Sequence, residues 1–166
     1  RHCNWNAPKV QPAPKVWYVS LHGLKTEMAR KIIMTNKSRL AVLYRRKEIK
    51  VAVKRLAKKI ARNYKGKNPL IIGILKGSFI FISDLVRELD FPLEIDFIRL
   101  SSYGRQQHNT GKVKVLQTIS TRIKGRDVLI VEDIIDSGIT LSFLLEYLQK
   151  KQPASLKLCC LLDKPA

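Results

Sequence analysis

The segment of the chain best suited to chemistry is VLIVEDIIDSGITL, residues 128–141. Glu132, Asp133 and Asp136 place three carboxylates within five residues, where an apolar run ends. Like charges this close destabilise one another unless a cation or hydrogen-bond donors offset them. The hydroxyls of a ribose, or a magnesium ion with its preference for oxygen ligands, would do so. The cluster therefore predicts a sugar or metal site.

The next four residues, Ser137, Gly138, Ile139 and Thr140, have the composition of a turn that opens a helix. Free backbone N–H groups, hydroxyls and the helix dipole make such a turn favourable for phosphate. A sugar or metal site beside a phosphate site suits a phosphorylated ribose. The acidic cluster taken alone has a second explanation, a solvated strand end with an N-capping serine, because caps of this kind are common.

The elements around this motif alternate between strand and helix patterns. Strands that alternate with helices predict an α/β fold with a mostly parallel sheet flanked by helices. In such open sheets, ligands bind at the carboxyl ends of the strands, which is where the motif lies. A polar, Gly-containing segment at 101–112 predicts a mobile loop. The predicted strands are 69–75, 93–100, 113–119, 127–132 and 156–162, and the predicted helices are 45–62, 79–89 and 140–150.

The positive charge of the chain is concentrated at one end. The formal net charge is +19, and residues 1–68 contain 19 Lys or Arg against two acidic residues. Residues 69–166 contain 13 Lys or Arg against 11 acidic residues. Such asymmetry indicates a surface for nonspecific binding of a polyanion such as RNA or DNA, although a solvated basic face with no partner is the alternative. The residues expected to contribute most lie on helix 45–62 and are Lys54, Lys58 and Arg62.

The three cysteines, Cys3, Cys159 and Cys160, show no CxxC or Cys/His metal spacing. Neighbouring residues of a strand point to opposite faces, so Cys159 and Cys160 are poor partners for a disulfide. This usage indicates a reduced, cytoplasmic protein. No apolar run approaches the roughly 18 residues that a membrane span requires, so no membrane association is expected.

The motif at 128–141 resembles the phosphoribosyl pyrophosphate signature of the type I phosphoribosyltransferases, in the form found in hypoxanthine-guanine phosphoribosyltransferases. Three other stretches agree in order and spacing. ILKGSF at 74–79 resembles the pyrophosphate-binding loop, LSSYG at 100–104 the start of the flexible catalytic loop, and LLDK at 161–164 the strand end whose lysine recognises the purine 6-oxo group. The resemblance covers about residues 49–166 and implies the type I phosphoribosyltransferase fold.

The resemblance implies a purine-salvage enzyme that transfers ribose-5-phosphate from phosphoribosyl pyrophosphate to N9 of hypoxanthine or guanine, which gives IMP or GMP and pyrophosphate. It implies Asp136 as general base, with Ser102 and Tyr103 on a loop that excludes water. It implies Mg2+ as cofactor, held by Glu132 and Asp133, and a homo-oligomer, dimer or tetramer. A non-proline cis peptide is expected between residues 75 and 76. The implied substrate-binding residues are Leu75, Lys76, Gly77, Glu132, Asp133, Ser137, Gly138, Ile139, Thr140 and Lys164.

The chain also departs from the family pattern. Residues 1–44 match nothing in the family and are predicted to form a basic N-terminal extension of unknown structure. Within it, residues 1–20 contain three prolines and are predicted to be extended or disordered. Residues 45–166 are predicted to form the catalytic domain, C-terminally incomplete, because the purine-stacking aromatic, aspartate and arginine expected beyond Lys164 are not in the sequence. Little or no turnover is therefore expected from this chain alone. Two alternatives stay open: an RNA-binding regulator built on the same fold, and an inactive fragment or paralogue.

Overall fold

The computed structural model describes residues 15–18, 42–103, 112–136 and 138–163. These residues form six strands and three helices. The strands are β1 (Lys15–Tyr18), β2 (Leu70–Leu75), β3 (Glu94–Tyr103), β4 (Lys112–Gln117), β5 (Asp127–Ile135) and β6 (Ser155–Asp163). The helices are α1 (Arg46–Tyr64), α2 (Phe79–Val86) and α3 (Ile139–Gln149).

The six strands form one sheet in the order β1-β6-β5-β2-β3-β4. Every neighbouring pair is parallel except β3 and β4, which are antiparallel. The predicted α/β fold with a mostly parallel sheet is therefore confirmed. Because β2, β5 and β6 run in the same direction, their carboxyl ends lie at one edge of the sheet, and the register there pairs Ile135 with Asp163.

Two apolar cores explain why these residues adopt this arrangement. Strands β2 and β5 are short apolar runs buried on both faces, as parallel strands covered by helices must be. Successive residues alternate between the cores, so Leu129 packs toward α1 and α2, whereas Ile130 packs toward α3. On α1 the apolar residues recur every three or four positions and face the sheet. The residues that α1 buries are Ala52, Val53, Leu56, Ala57, Ile60 and Tyr64.

Three sequence predictions need correction. The predicted loop at 101–112 was wrong at both ends, because antiparallel pairing with β4 extends β3 through Tyr103, which pairs with Lys112. Strand β5 continues past residue 132 to Ile135, because ladder pairing with β6 holds even its charged residues in extended form. Helix α2 ends at Val86, before the predicted residue 89.

The proline-rich beginning of the chain contributes an element that was not expected. Residues 15–18 were predicted to be extended or disordered, and they form an edge strand parallel to β6 in which Trp17 pairs with Cys159. The remaining residues of the predicted extension up to 41 lie outside the described part of the chain. None of the described helices is long and apolar enough to cross a membrane.

Candidate active site

The acidic motif lies at the carboxyl edge of the sheet, at the end of strand β5. Glu132 and Asp133 are half-buried near the end of this strand, and Asp136 follows it as an exposed residue. Gly138 has a φ of 75°, a left-handed conformation that favours glycine, and it forms the N-cap of α3. The backbone N–H of Ser142 donates to the Gly138 carbonyl at 2.8 Å, so the helix begins directly after the turn.

A pocket of about 230 Å³ lies between the end of β5 and the first turn of α3. Its polar wall combines carboxylates with the hydroxyl of Thr140, and its apolar wall comes from the ends of β2 and β5. The presence of a helix N-terminus at one side makes the pocket favourable for an anionic group. The residues that line it are Ile74, Glu132, Ile134, Ile135, Asp136, Gly138, Thr140 and Leu141.

The turn after β2 packs directly against the acidic motif. The Leu75–Lys76 peptide bond is cis, as the sequence resemblance predicted. A Cβ atom on Gly77 would lie 2.9 Å from both carboxylate oxygens of Asp133, so only a glycine fits there without displacing that side chain. Ser78 is fully buried, and its hydroxyl donates to the Ile74 carbonyl at 2.7 Å. This hydrogen bond fixes the turn over β2 and leaves the Lys76 side chain exposed.

The site disfavours the charged form of Glu132. Burial raises the pKa of Glu132 to about 8, and the hydrogen bond and negative charge of Asp133 add to the effect. The Asp133 backbone N–H opposes it by donating to Glu132 Oε1 at 3.1 Å. Burial also raises the pKa of the Cys160 thiol to about 11, with further increases from the two carboxylates. A cation or a set of hydroxyl donors at this position would therefore stabilise the ionised pair.

The donor set is compatible with magnesium shared with a substrate. Among the residues that the structure describes, no three His, Cys, Asp or Glu side chains are grouped to hold a metal ion. Magnesium usually keeps several waters and is held by one or two carboxylates together with substrate phosphates. The side chains of Glu132 and Asp133 fit that mode, because they are adjacent and half-buried, and neither forms an ion pair with a described residue.

Comparison with known proteins agrees with this geometry. The family model of the phosphoribosyl transferase domain matches residues 40–166. The chain belongs to the phosphoribosyltransferase family. The resemblance inferred from the four sequence motifs is thereby confirmed.

Several phosphoribosyltransferases are similar to this chain over about three quarters of its length. It is 44% identical over 125 residues to the hypoxanthine-guanine phosphoribosyltransferase of Bacillus subtilis, covering 75% of this chain and 69% of the relative. It is 48% identical to the hypoxanthine phosphoribosyltransferase of Salmonella typhimurium, covering 72% and 68%. A crystal structure of a Bacillus anthracis hypoxanthine-guanine phosphoribosyltransferase shares 46% identity with a TM-score of 0.72, covering 76% and 74%. The bifunctional protein TilS/HprT of Listeria innocua is 43% identical, and the chain spans only 19% of its length.

The fold brings most of the predicted phosphoribosyltransferase site residues to one edge. Gly77 contacts Asp133, and Glu132, Asp136, Gly138 and Thr140 line the pocket. Ile139 is the first residue of α3, and its side chain is exposed. Leu75 and Lys76 belong to the turn that carries Gly77.

The remaining predicted site residues are described in part or not at all. Ser137 and Lys164 lie outside the described residues, although Asp163, which precedes Lys164, pairs with Ile135 at the same edge. Ser102 and Tyr103 form the end of β3, and only their backbone is described.

Sequence reasoning missed the apolar wall of the pocket and the buried Ser78. Ile74 was assigned to the predicted pyrophosphate loop, and Ile135 and Leu141 to the motif at 128–141, but none of the three was named as a site residue. The predicted parallel sheet was the sequence signal that could have found them, because parallel pairing brings the ends of β2 and β5 side by side. Ser78 directly follows Gly77 in the predicted pyrophosphate loop, but its burial against β2 depends on the turn geometry.

Proposed function

We propose that this phosphoribosyltransferase transfers ribose-5-phosphate from phosphoribosyl pyrophosphate to N9 of hypoxanthine or guanine, giving IMP or GMP and pyrophosphate. The observation that carries the proposal is the pocket at the end of β5, in which the carboxylates of Glu132 and Asp136 meet a helix N-terminus. The contact between Gly77 and Asp133 places a backbone turn suited to pyrophosphate beside that pocket. The names of the similar proteins support the purine assignment.

The first turn of α3 holds the 5-phosphate in this proposal. Its free N–H groups point out of the helix end, and the helix dipole adds positive potential there. Thr140 supplies a hydroxyl at the pocket wall, and the left-handed Gly138 lets the chain enter the helix close to the ligand. Ser137 and the Ile139 amide complete the predicted phosphate contacts.

Glu132 and Asp133 bind the ribose hydroxyls and the magnesium ion. Hydroxyl donors offset the burial of Glu132 and its repulsion by Asp133, which together raise the pKa of Glu132. Magnesium, when bound, neutralises charge on the leaving pyrophosphate. Leu75, Lys76 and Gly77 hold the pyrophosphate, since their turn lies against Asp133 and presents an exposed lysine.

Asp136 acts as general base toward the purine. It follows β5 at the pocket and is exposed, so a base seated there can reach its carboxylate. As the bond from C1′ to pyrophosphate breaks and the bond from C1′ to N9 forms, the carboxylate accepts the proton from N7. Lys164 recognises the 6-oxo group, and the loop that begins at Ser102 and Tyr103 excludes water.

The alternative of an RNA-binding regulator on this fold is less well supported, because the similar proteins are named as enzymes.

The chain spans 19% of the bifunctional relatives and 68–69% of the shorter ones. The activity is therefore best tested in the protein as it is expressed naturally. A homo-oligomeric state and a cytoplasmic location remain predictions.

Ligand-induced thermal stabilisation tests the binding half of this proposal. Phosphoribosyl pyrophosphate with magnesium should raise the melting temperature of the wild type, because a ligand that binds only the folded state stabilises it. Asp133→Asn and Thr140→Ala should reduce that increase. Asp84→Asn is the control, since Asp84 lies on α2 and pairs with Arg87. Equal increases in all four proteins would contradict the assignment of the site.

The transfer reaction tests the purine assignment. Formation of IMP from hypoxanthine and of GMP from guanine should be measurable, with adenine as the comparison base. If phosphoribosyl pyrophosphate binds but no purine is converted, the binding site stands and the purine assignment is wrong.

A further inference from the structure

Helix α1 presents a continuous basic surface that the proposed transfer reaction does not use. The six residues that it buries are at most 4% exposed, so its packing face is fully occupied by the sheet and by α2. The opposite surface carries positive side chains along its length. We define the basic face of α1 as its eight exposed basic residues, Arg46, Lys47, Lys50, Lys54, Arg55, Lys58, Lys59 and Arg62.

Little of this charge is neutralised within the described part of the chain. There, a single ion pair involves the basic face, Lys54 with Glu88 at 4.0 Å, and both side chains are substantially exposed. Exposed pairs of that length contribute little. Lys50, Lys54, Lys58 and Arg62 follow one another at intervals of four residues, and like charges at that spacing destabilise a helix. The basic face therefore has an electrostatic cost that a polyanion would relieve.

The charges at the N-terminal end of α1 also favour a polyanionic partner. Arg45, Arg46 and Lys47 stand at the helix start, where positive charge opposes the helix dipole. Glu48 accepts a hydrogen bond from the Arg45 backbone N–H at 2.7 Å, so part of its charge is already used in capping. A helix optimised only for stability would carry acidic residues at these positions.

The burial pattern of α1 distinguishes among three possible partners: a membrane surface, a protein and a nucleic acid. An amphipathic helix binds a membrane surface by inserting its apolar face, but the apolar face of α1 is packed against the sheet. Protein interfaces are depleted in lysine, and Val51 is the one exposed apolar side chain on α1 beside the basic face. Phosphate backbones need neither apolar contact nor shape complementarity, and four helical residues rise by about 6 Å, which spaces the charges regularly.

We propose that the basic face of α1 binds nucleic acid through its phosphate backbone, without sequence preference. This surface is distinct from the active-site pocket. Helix α1 leads through Gly66 into the amino end of β2, and the Tyr64 hydroxyl lies 3.5 Å from the carbonyl of Val128, near the amino end of β5. These contacts place the C-terminal end of α1 at the amino edge, whereas the pocket lies at the carboxyl edge. The pocket residues Ile74, Ile135 and Leu141 also pack in the core on the other face of the sheet from α1. Nucleic acid and phosphoribosyl pyrophosphate therefore bind at the same time.

Fluorescence anisotropy with a labelled single-stranded RNA of arbitrary sequence tests the proposal, with duplex DNA in parallel. For six phosphate contacts, the slope of log affinity against log salt is about −4 on single strands, or on the order of 10²-fold weaker binding at 200 mM than at 50 mM salt. The triple variant Lys50→Gln, Lys58→Gln, Arg62→Gln should make that slope shallower by about 2. These three residues make no ion pair with another described residue.

The matched control is Lys114→Gln, Arg122→Gln, Lys150→Gln, which removes the same charge from exposed positions outside α1. It should keep the wild-type slope and affinity. A flat salt response in the wild type, or equal losses in the two triple variants, would overturn the proposal. Displacement of RNA by saturating phosphoribosyl pyrophosphate would also overturn it, because the RNA would then occupy the pocket. Binding to anionic vesicles without binding to RNA or to duplex DNA would also overturn the proposal.

Discussion

The carboxylate of Asp133 lies against the backbone of Gly77, with 2.9 Å between its oxygens and the position that a Cβ on residue 77 would take. The contact joins two segments that are 56 positions apart in the chain, the turn after β2 and the end of β5. Any side chain at 77 moves the carboxylate, and any movement of the turn changes the space beside it. The proposed pyrophosphate and ribose subsites are therefore mechanically coupled.

Gly77→Ala should weaken the binding of phosphoribosyl pyrophosphate, because the added methyl group displaces Asp133. The measurement is the ligand-induced increase in melting temperature. Gly66→Ala is the matched control, since Gly66 has a φ of 77° and open space around it. It should lower the free energy of unfolding by about 1 kcal/mol through backbone strain and leave the ligand-induced increase intact.

A double substitution separates the contact from a general loss of stability. In Gly77→Ala with Asp133→Ala, the shortened side chain at 133 removes the clash. The two effects on the free energy of unfolding should therefore be non-additive, with the double variant more stable than the sum of the singles implies. Additive effects would show that Gly77 is needed for another reason.

Asp136→Asn should lower turnover far more than substrate affinity. Asparagine keeps the size of the side chain but cannot accept the proton, and general-base contributions are about 10²–10⁴-fold. Steady-state kinetics in the naturally expressed protein give both quantities. Unchanged turnover would remove Asp136 from the mechanism. Glu146→Gln is a control for loss of an acidic group, because Glu146 is exposed on α3 and outside the pocket lining.

Thr140 should act through its hydroxyl. Thr140→Ala removes a donor from the pocket wall and should raise the dissociation constant for phosphoribosyl pyrophosphate, whereas Thr140→Ser should restore most of the affinity. Isothermal titration calorimetry with magnesium present measures both. If serine and alanine weaken binding equally, the methyl group rather than the hydroxyl is what matters.

Asp96 should make stability depend on pH. Burial opposes its ionisation, but hydrogen bonds outweigh burial and hold its pKa below the ordinary value. The backbone N–H groups of Ser120 and Thr121 each donate at 2.8 Å and that of Phe97 at 2.7 Å. A lowered folded-state pKa contributes stability above the unfolded-state value of about 4, and this contribution is lost as the pH falls through the folded-state pKa.

Asp96→Ala should therefore lower the free energy of unfolding by about 1–2 kcal/mol at pH 7, discounted for partial exposure. The difference from wild type should shrink below about pH 4. Urea unfolding at pH 7 and at acid pH measures it. Asp84→Ala, which breaks an exposed pair with Arg87, should cost less than 1 kcal/mol. A difference at Asp96 that does not change with pH would point to packing instead of charge.

The sequence alone determined the parts of this protein that depend on local pattern. The apolar stripe of α1 and the apolar runs of β2 and β5 were recognisable because a single helix or buried strand has its own periodicity. The four motifs identified the family, and the composition of residues 128–141 indicated a phosphorylated ribose before any fold was known. The roles of Asp136 and Thr140 remain predictions from that resemblance.

The tertiary structure alone decided what depends on pairing between distant segments. The ladder with β6 extended β5 to Ile135, and antiparallel pairing with β4 extended β3 to Tyr103. The contact of Asp133 with Gly77 arises only when β2 and β5 lie side by side. The raised pKa of Glu132 comes mainly from its burial in the folded chain. Such pairings are set by the free energy of the whole sheet, and no local window of the sequence contains both partners.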